Sequence, residues 1–253
     1  MNKIIITSSW DDGHKLDLKL GELLSKYGIR GTFYIPKKYT KEPLTEAQII
    51  ELSNYHEIGA HTLTHPELDK INIVDTRREI LGSKEYLESI LGKNVKMFCY
   101  PRGKYNEEIK NLVKNAGFIG ARSTRKFIFD LSQDNFELNV STHVYPFPLR
   151  KKNDRRFLLN KHLFDPFIEK YSQVIKLGLP LNSFFSWGNL VKNCFDYTLK
   201  NGRIFHLYGH SYEIERYGMW SELENILKYI ASRPDILYLT NGEILEYIEK
   251  NKN

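Results

Sequence analysis

Strand-like and helix-like stretches alternate along most of this chain of 253 residues, and that alternation narrows the possible folds more than any other feature. Lys3 to Trp10 reads as a buried strand, and Asp17 to Gly28 as an amphipathic helix closed by Gly28. Gly31 to Ile35 is a second strand. Thr45 and Gln48 have capping-box spacing at the start of the next helix, and Glu57 to His61 is a third strand. A helix is expected from about Asp75 to Leu91, a strand over Val95 to Pro101, a helix capped by Asn106, and a strand over Phe118 to Thr124. The middle, from Lys126 to Asn201, is less regular. It holds "LNVSTHVY", a helix opened by Asp165 and Pro166, and another opened near Ser186. Regularity returns with "GRIFHLYGH", a helix from Trp220, the strand "DILYLTN", and a last helix from Gly242 with Thr240 and Glu243 in capping-box spacing. Strands joined by helical crossovers run parallel, as a barrel or an open doubly wound sheet. With no linker, repeat or low-complexity tract, one domain over residues 1–253 is expected.

The reactive side chains fall at one kind of place on this map. Asp11, Asp12 and Gly13 close the first strand, and His61 and His65 of "HTLTH" follow the third. Pro101, Arg102 and Gly103 follow "MFCY", and His210 closes "IFHLY". Parallel α/β folds build their sites at the carboxyl ends of strands. Asp-Asp-Gly alone is a common turn, and spaced histidines occur on exposed helices; the convergence of all four groups is what points to a site. A carboxylate with two imidazoles suits one divalent metal ion, Zn²⁺ foremost, with Co²⁺ or Fe²⁺ tolerated. A cation also offsets the repulsion between Asp11 and Asp12. One of the pair can bind the ion while the other stays free as a general base, and His210 is placed to protonate a leaving group. His14, His56, His143, His162 and His206 are read as structural, with His206 facing away from the site.

Composition is that of a globular protein, 41% apolar with a net charge of +6. Cys99 and Cys194 are in no metal or disulfide spacing. The basic run from Pro148 to Phe157 reads as a solvated loop, or as a surface for anionic material such as a phosphate-bearing substrate or lipid headgroups, so peripheral membrane contact is compatible with it. No basic face with interleaved aromatics suggests nucleic acid. No apolar run reaches the roughly 20 residues of a membrane span, and no secretory signal is present, so a cytoplasmic location is expected.

The elements "SWDDGH", "GTFYI", "EIGAHTLTH", "FCYPRGKYN", "FHLYGHS" and "ILYLTNGEI" resemble, in this order, the polysaccharide deacetylase (NodB-homology) family of metal-dependent carbohydrate esterases. The resemblance implies a distorted (β/α) barrel of about seven parallel strands. It implies Asp11 as general base, Asp12, His61 and His65 as metal ligands, and His210 as general acid. Thr62 would hold the histidine loop, and the Arg102 backbone N–H would face the oxyanion. Leu207 would line the acyl pocket. The implied reaction is hydrolysis of an N-acyl group, foremost N-acetyl, from an amino sugar in a glycan or in a nucleotide- or lipid-linked precursor. Formyl or non-sugar amides are alternatives, as is a non-catalytic glycan-binding relative. Many members carry an early third-motif Arg that pairs with the base; Cys99 or Tyr100 stands there, leaving Arg102, Arg122 or Arg125 to replace it. The usual Asp/Trp motif that orients the acid has only Asp130 and Asp134 as candidates. Glu213 is expected to contact His210 or a substrate amine, or to form a rim salt bridge. Trp10, Trp187 and Trp220, with the tyrosines, are candidates for a sugar-stacking platform, Trp10 standing next to Asp11.

Overall fold

β1 (Ile4–Asp11) is the strand on which the others assemble. The computed structural model describes residues 3–149 and 160–251. On one edge, β1 pairs with β7 (Ile204–Gly209) along Ile5–Trp10. On the other edge it pairs with β2 (Gly31–Ile35) through Ser8–Asp11 and with β8 (Ile236–Tyr238) through Ile4–Ile6. With β3 (Glu57–Ala60), β4 (Met97–Cys99), β5 (Gly120–Arg122) and β6 (Thr142–His143), the strand order is β5-β4-β3-β2-β1-β7-β6. Every pairing is parallel. This is the expected barrel of seven strands, with β8 as an eighth off the path. Its distortion lies between β5 and β6. There an irregular segment takes the place of a strand: Leu138 N–H donates to Ala121 O at 2.9 Å, and Ser141 N–H to His206 O at 2.9 Å.

The helices form at their sequence signals. α1 (Asp17–Lys26) ends before Gly28, whose φ of 66° accommodates the turn. α2 (Glu46–Leu52) carries the Thr45–Gln48 capping box, and α3 (Ile73–Leu91) starts two residues before the expected position because Asn72 caps it. α4 (Glu107–Asn115) is capped by Asn106, α6 (Trp187–Asn201) by Ser186, and α9 (Asn241–Lys250) by the Thr240–Glu243 box. α5 (Asn160–Lys176) departs from expectation: Pro166 lies inside it rather than in its first turn. The Asp165-Pro166 pair imitates a helix start, but the helix begins earlier. α7 (Ser211–Arg216) and α8 (Trp220–Ile230) complete the shell. The expected basic run lies, in its residues 150–157, outside the described residues.

Strand alternation sorts the side chains of β1 into two sets. Trp10 points outward, fully buried beneath the helices, and donates to Ser8 Oγ at 3.1 Å. Thr7, Ser9 and Asp11 point inward into a polar interior. Ser9 Oγ lies 2.9 Å from His206 Nε2, and Thr7 donates to Asn241 Oδ1 at 3.0 Å. His206 therefore faces the same interior as the site, one layer below it, contrary to the expectation that it turns away. Four residues along a strand keep one face, and His206 obeys that rule.

Candidate metal and catalytic site

The Asp11-Asp12-Gly13 turn works because its last two residues are left-handed, with φ of 82° at Asp12 and 62° at Gly13. A Cβ on Gly13 would also meet Ile35 Cγ2 at 2.8 Å, so glycine is required there twice over. Of the seven non-glycine residues with positive φ among the described residues, four line one cavity, Asp12, His65, Arg102 and Phe127, and a fifth, Thr62, follows His61 of its wall. Such conformations cost free energy, and they gather where geometry serves a function.

That cavity, about 550 Å³ in volume, opens at the carboxyl ends of the strands. Asp12 Oδ1 is buried and has no hydrogen-bond partner. It faces His61 Nε2 at 3.6 Å and His65 Nε2 at 3.5 Å. Three donor atoms converge at distances too long for hydrogen bonds, the arrangement expected around a cation. His61 Nδ1 lies 2.8 Å from Cys99 O, and with Nδ1–H as donor the Nε2 lone pair points at Asp12. Burial lowers the pKa of both imidazoles to about 4, so they stay neutral and able to ligate. Burial raises that of Asp12, and the neighbouring Asp11 charge adds to the effect; Tyr212 O–H donates to Asp12 Oδ2 at 2.9 Å. The residues present therefore fit a divalent ion.

The histidine loop is held from below. Thr62 Oγ1 accepts from His65 N–H at 2.9 Å, matching its expected role. Glu79, buried on α3, accepts from the Leu63 and Thr64 N–H groups at 2.8 Å each and from the Thr64 hydroxyl at 2.8 Å. This clamp escaped the sequence reading; its only signal was an acid on the buried stripe of α3, beside Thr76, Ile80 and Ser83. Tyr39 stacks on His65 with centroids 3.9 Å apart.

Of the three arginines left open, the structure selects Arg122. It is fully buried at the end of β5, pairs with Asp11 Oδ1, and lies between the rings of Tyr34 (5.3 Å) and Tyr208 (5.0 Å). Burial opposes ionisation of Asp11, but the Arg122 guanidinium overrides it, with help from His61 and His210, and holds the carboxyl at about 2. Arg125 instead binds Tyr105 and Glu137. Arg102 lines the cavity, and its guanidinium lies 3.4 Å from Glu67 Oε1, away from Asp11.

His210 Nε2 is 3.7 Å from Asp12 Oδ2, and its Nδ1 is 2.7 Å from Glu213 Oε2. Burial opposes protonation of His210, but Glu213 dominates, with Asp11 and Asp12 adding, and raises its pKa to about 9. Glu213 is also 3.4 Å from the buried His143 Nε2. The group that orients His210 is thus Glu213, three residues after it, rather than Asp130 or Asp134. Asp134 caps a short turn and binds Lys110 instead, at 2.9 Å. Glu213 is spent on imidazoles and does not line the cavity, so it is not the expected substrate contact. Two further expected contacts are corrected. Leu207 pairs with Ser8 on the outward face of β7 and is 1% exposed, and Trp10 is buried on the same side. Tyr208, one residue on and of the opposite parity, lines the wall in place of Leu207. Trp187 is likewise buried, donating to His143 O at 2.8 Å.

Residues 1–121 match the family model described as polysaccharide deacetylase. A peptidoglycan-N-acetylglucosamine deacetylase of Bacillus cereus is 29% identical over 116 residues, 45% of this chain and 40% of that protein. A chitooligosaccharide deacetylase of Azorhizobium caulinodans is 28% identical over 119 residues, 46% of this chain and 56% of that protein. The chain thus spans about half the length of these relatives. Among solved structures, a Mycobacterium smegmatis protein assigned to the polysaccharide deacetylases superposes over 100% of this chain and 92% of its own, at 15% identity and a TM-score of 0.69. A CE4-family pseudoenzyme of Bacillus anthracis covers 96% of this chain and 66% of its own, at 12% identity and a TM-score of 0.56. At these identities the structural likeness is one of fold.

Proposed function

We propose, on the premise that residues 1–121 belong to the polysaccharide deacetylase family, that this protein is a metal-dependent hydrolase removing an N-acyl group, foremost N-acetyl, from an amino sugar. The observation that carries this reading is the convergence of Asp12 Oδ1, unpartnered and buried, on two imidazole Nε2 atoms at 3.5 and 3.6 Å, with Asp11 and His210 on either side. Asp12, His61 and His65 would hold one divalent ion, Zn²⁺ foremost. When bound, it supplies Lewis acidity, making a water more acidic and polarising the acyl oxygen.

The protein's own groups divide the proton traffic. Asp11, ionised beside Arg122, accepts a proton from the attacking water. The Arg102 backbone N–H steadies the developing oxyanion. His210, cationic beside Glu213, gives its proton to the leaving nitrogen as the C–N bond breaks. The two titrating groups are pushed apart in pKa, as an acid–base pair requires. Water and amide become carboxylic acid and free amine, with no other reactant. The substrate is an amino sugar in a glycan or in a nucleotide- or lipid-linked precursor, and the pocket decides between acetyl and formyl.

The test is acid release from N-acetylated chito-oligosaccharides, N-acetylglucosamine-bearing peptidoglycan fragments and their N-formyl counterparts, with the metal-loaded protein and with Asp11→Asn. Acetate release lost in the variant supports the proposal. Formate release alone transfers the assignment to a deformylase. Glycan binding with no acid released from any substrate replaces it with the glycan-binding reading.

A further inference from the structure

The first turn of α7 carries three side chains of the site. His210 is its N-cap, Tyr212 donates to Asp12 Oδ2 at 2.9 Å, and Glu213 lies 2.7 Å from His210 Nδ1. A helix of six residues has little stability of its own, and no side chain caps this one. Its place, and with it the place of His210, is therefore set by tertiary contacts. α1 is the neighbour that bears on the site. It starts directly from the turn that holds Asp11 and Asp12: Leu44 N–H donates to Gly13 O at 2.9 Å, and Asp17 N–H to His14 O at 2.8 Å.

Asp17, the first residue of α1, is fully buried, and among the described residues neither of its carboxyl oxygens completes a hydrogen bond. The Ser211 hydroxyl, at the first position of α7, is likewise fully buried and unsatisfied. Buried polar groups without partners are uncommon and costly. Here the two orphans adjoin, since Ser211 is the hydrogen-bonding side chain that acts on the Asp17 carboxyl. Burial raises the Asp17 pKa to about 8 against the pull of Ser211, and the Asp12 and Asp11 charges add to the rise. Near pH 7 the group is thus mainly a neutral acid. A neutral carboxyl and a hydroxyl are each donor and acceptor, so rotation of the O–H groups joins them without burying a charge. The ion pair between the same helices, Lys19 with Glu215 at 3.8 Å, is about half exposed and contributes little.

We infer that Asp17 is a positioning residue: with Ser211 it ties the start of α1 to the start of α7, and so sets the separation of His210 from Asp11 and Asp12. The inference rests on the hydrolase reading for the role of His210, so its test has one readout that needs no turnover. That readout is the His210 imidazole signal in ¹⁵N-histidine NMR spectra of the metal-free protein, assigned by its loss in His210→Gln. The second is kcat and KM on N-acetylated chito-oligosaccharides, with bound Zn²⁺ measured alongside. The variants are D17N, D17A, S211A, D17A/S211A and, as a control, K19A, each checked for folding by circular dichroism. Expected are a shifted or broadened His210 signal in D17A and S211A, and a wild-type signal in D17N, which keeps a neutral donor and acceptor, and in K19A. In D17A and S211A kcat should fall about 10–100-fold with KM and bound Zn²⁺ unchanged, and the double variant should be no worse than the worse single one. An unmoved His210 signal in S211A and D17A overturns the inference, whatever the activity. So does D17N as damaged as D17A, which would make an ionised carboxylate the requirement, or loss of Zn²⁺ from S211A, which would make the contact a support of the metal site. A His210 signal that moves as expected in a protein that releases no acid from any substrate upholds the tie and removes the hydrolase reading instead.

Discussion

Replacing Arg122 with methionine tests the electrostatic core of the site. Arg122 is fully buried, and Asp11 is 4% exposed, so neither charge has water to fall back on. Two unit charges about 4 Å apart attract by about 4 kcal/mol at an effective dielectric of about 20. Removing one partner of a buried pair costs about 3–5 kcal/mol, because the other charge is left unpaired. Arg122→Met should therefore lower the unfolding free energy of the metal-free protein by about 3–5 kcal/mol, measured by urea denaturation in chelator. Part of that loss arises at Asp11, so the double variant R122M/D11N should be more stable than R122M alone by about 1 kcal/mol or more, although both lack the Arg122 guanidinium. The stacked Tyr34 and Tyr208 rings keep a methionine side chain packed, which separates lost charge from lost volume. A single variant within about 1 kcal/mol of wild type, or a double variant less stable than R122M, would refute the reasoning.

Three other outcomes follow from the same geometry. Glu213→Gln leaves His210 without its carboxylate, so kcat should fall about 10–100-fold with KM little changed, and the alkaline limb of the kcat–pH profile should move to lower pH, as steady-state kinetics would show. Glu79→Gln loosens the histidine loop and should weaken Zn²⁺ affinity about 10–100-fold by isothermal titration, with circular dichroism unchanged. Burial lowers the His206 pKa from 6.5 to about 3, so between those values the unfolded chain binds a proton that the native state refuses. That contribution is intact above pH 6.5 and is lost as pH falls. Between pH 6.5 and 5 the metal-free wild type should lose about 2 kcal/mol more stability than His206→Gln.

How much of this could be read in advance depended on how local each signal was. The capping boxes at Thr45 and Thr240, and the strand-end positions of Asp11, Asp12, His61, His65 and His210, follow from short-range patterns, and these place the cavity. The partner of Asp11 did not, because Arg122 comes from β5, four strands away along the sheet, and only tertiary packing brings its guanidinium across the interior. Glu79 was hidden for the same reason, acting 15 and 16 residues from its partners. Leu207 and Trp10 were misplaced through parity: in β1 and β7 the inward positions are Ser9, Asp11, His206 and Tyr208, so the residues between them face the helices. α5 began early because an Asp-Pro pair carries the chemistry of a helix start without being one here.

The claim on which the rest depends is that Asp12, His61 and His65 hold one divalent ion. The most direct measurement is metal content by inductively coupled plasma mass spectrometry after loading with Zn²⁺ or Co²⁺ and desalting, on wild type and His61→Ala. The account predicts about one equivalent per chain in the wild type and loss of that equivalent in a variant that still folds by circular dichroism. A wild type that retains no metal with either ion, or a His61→Ala protein that retains the full equivalent, would contradict it.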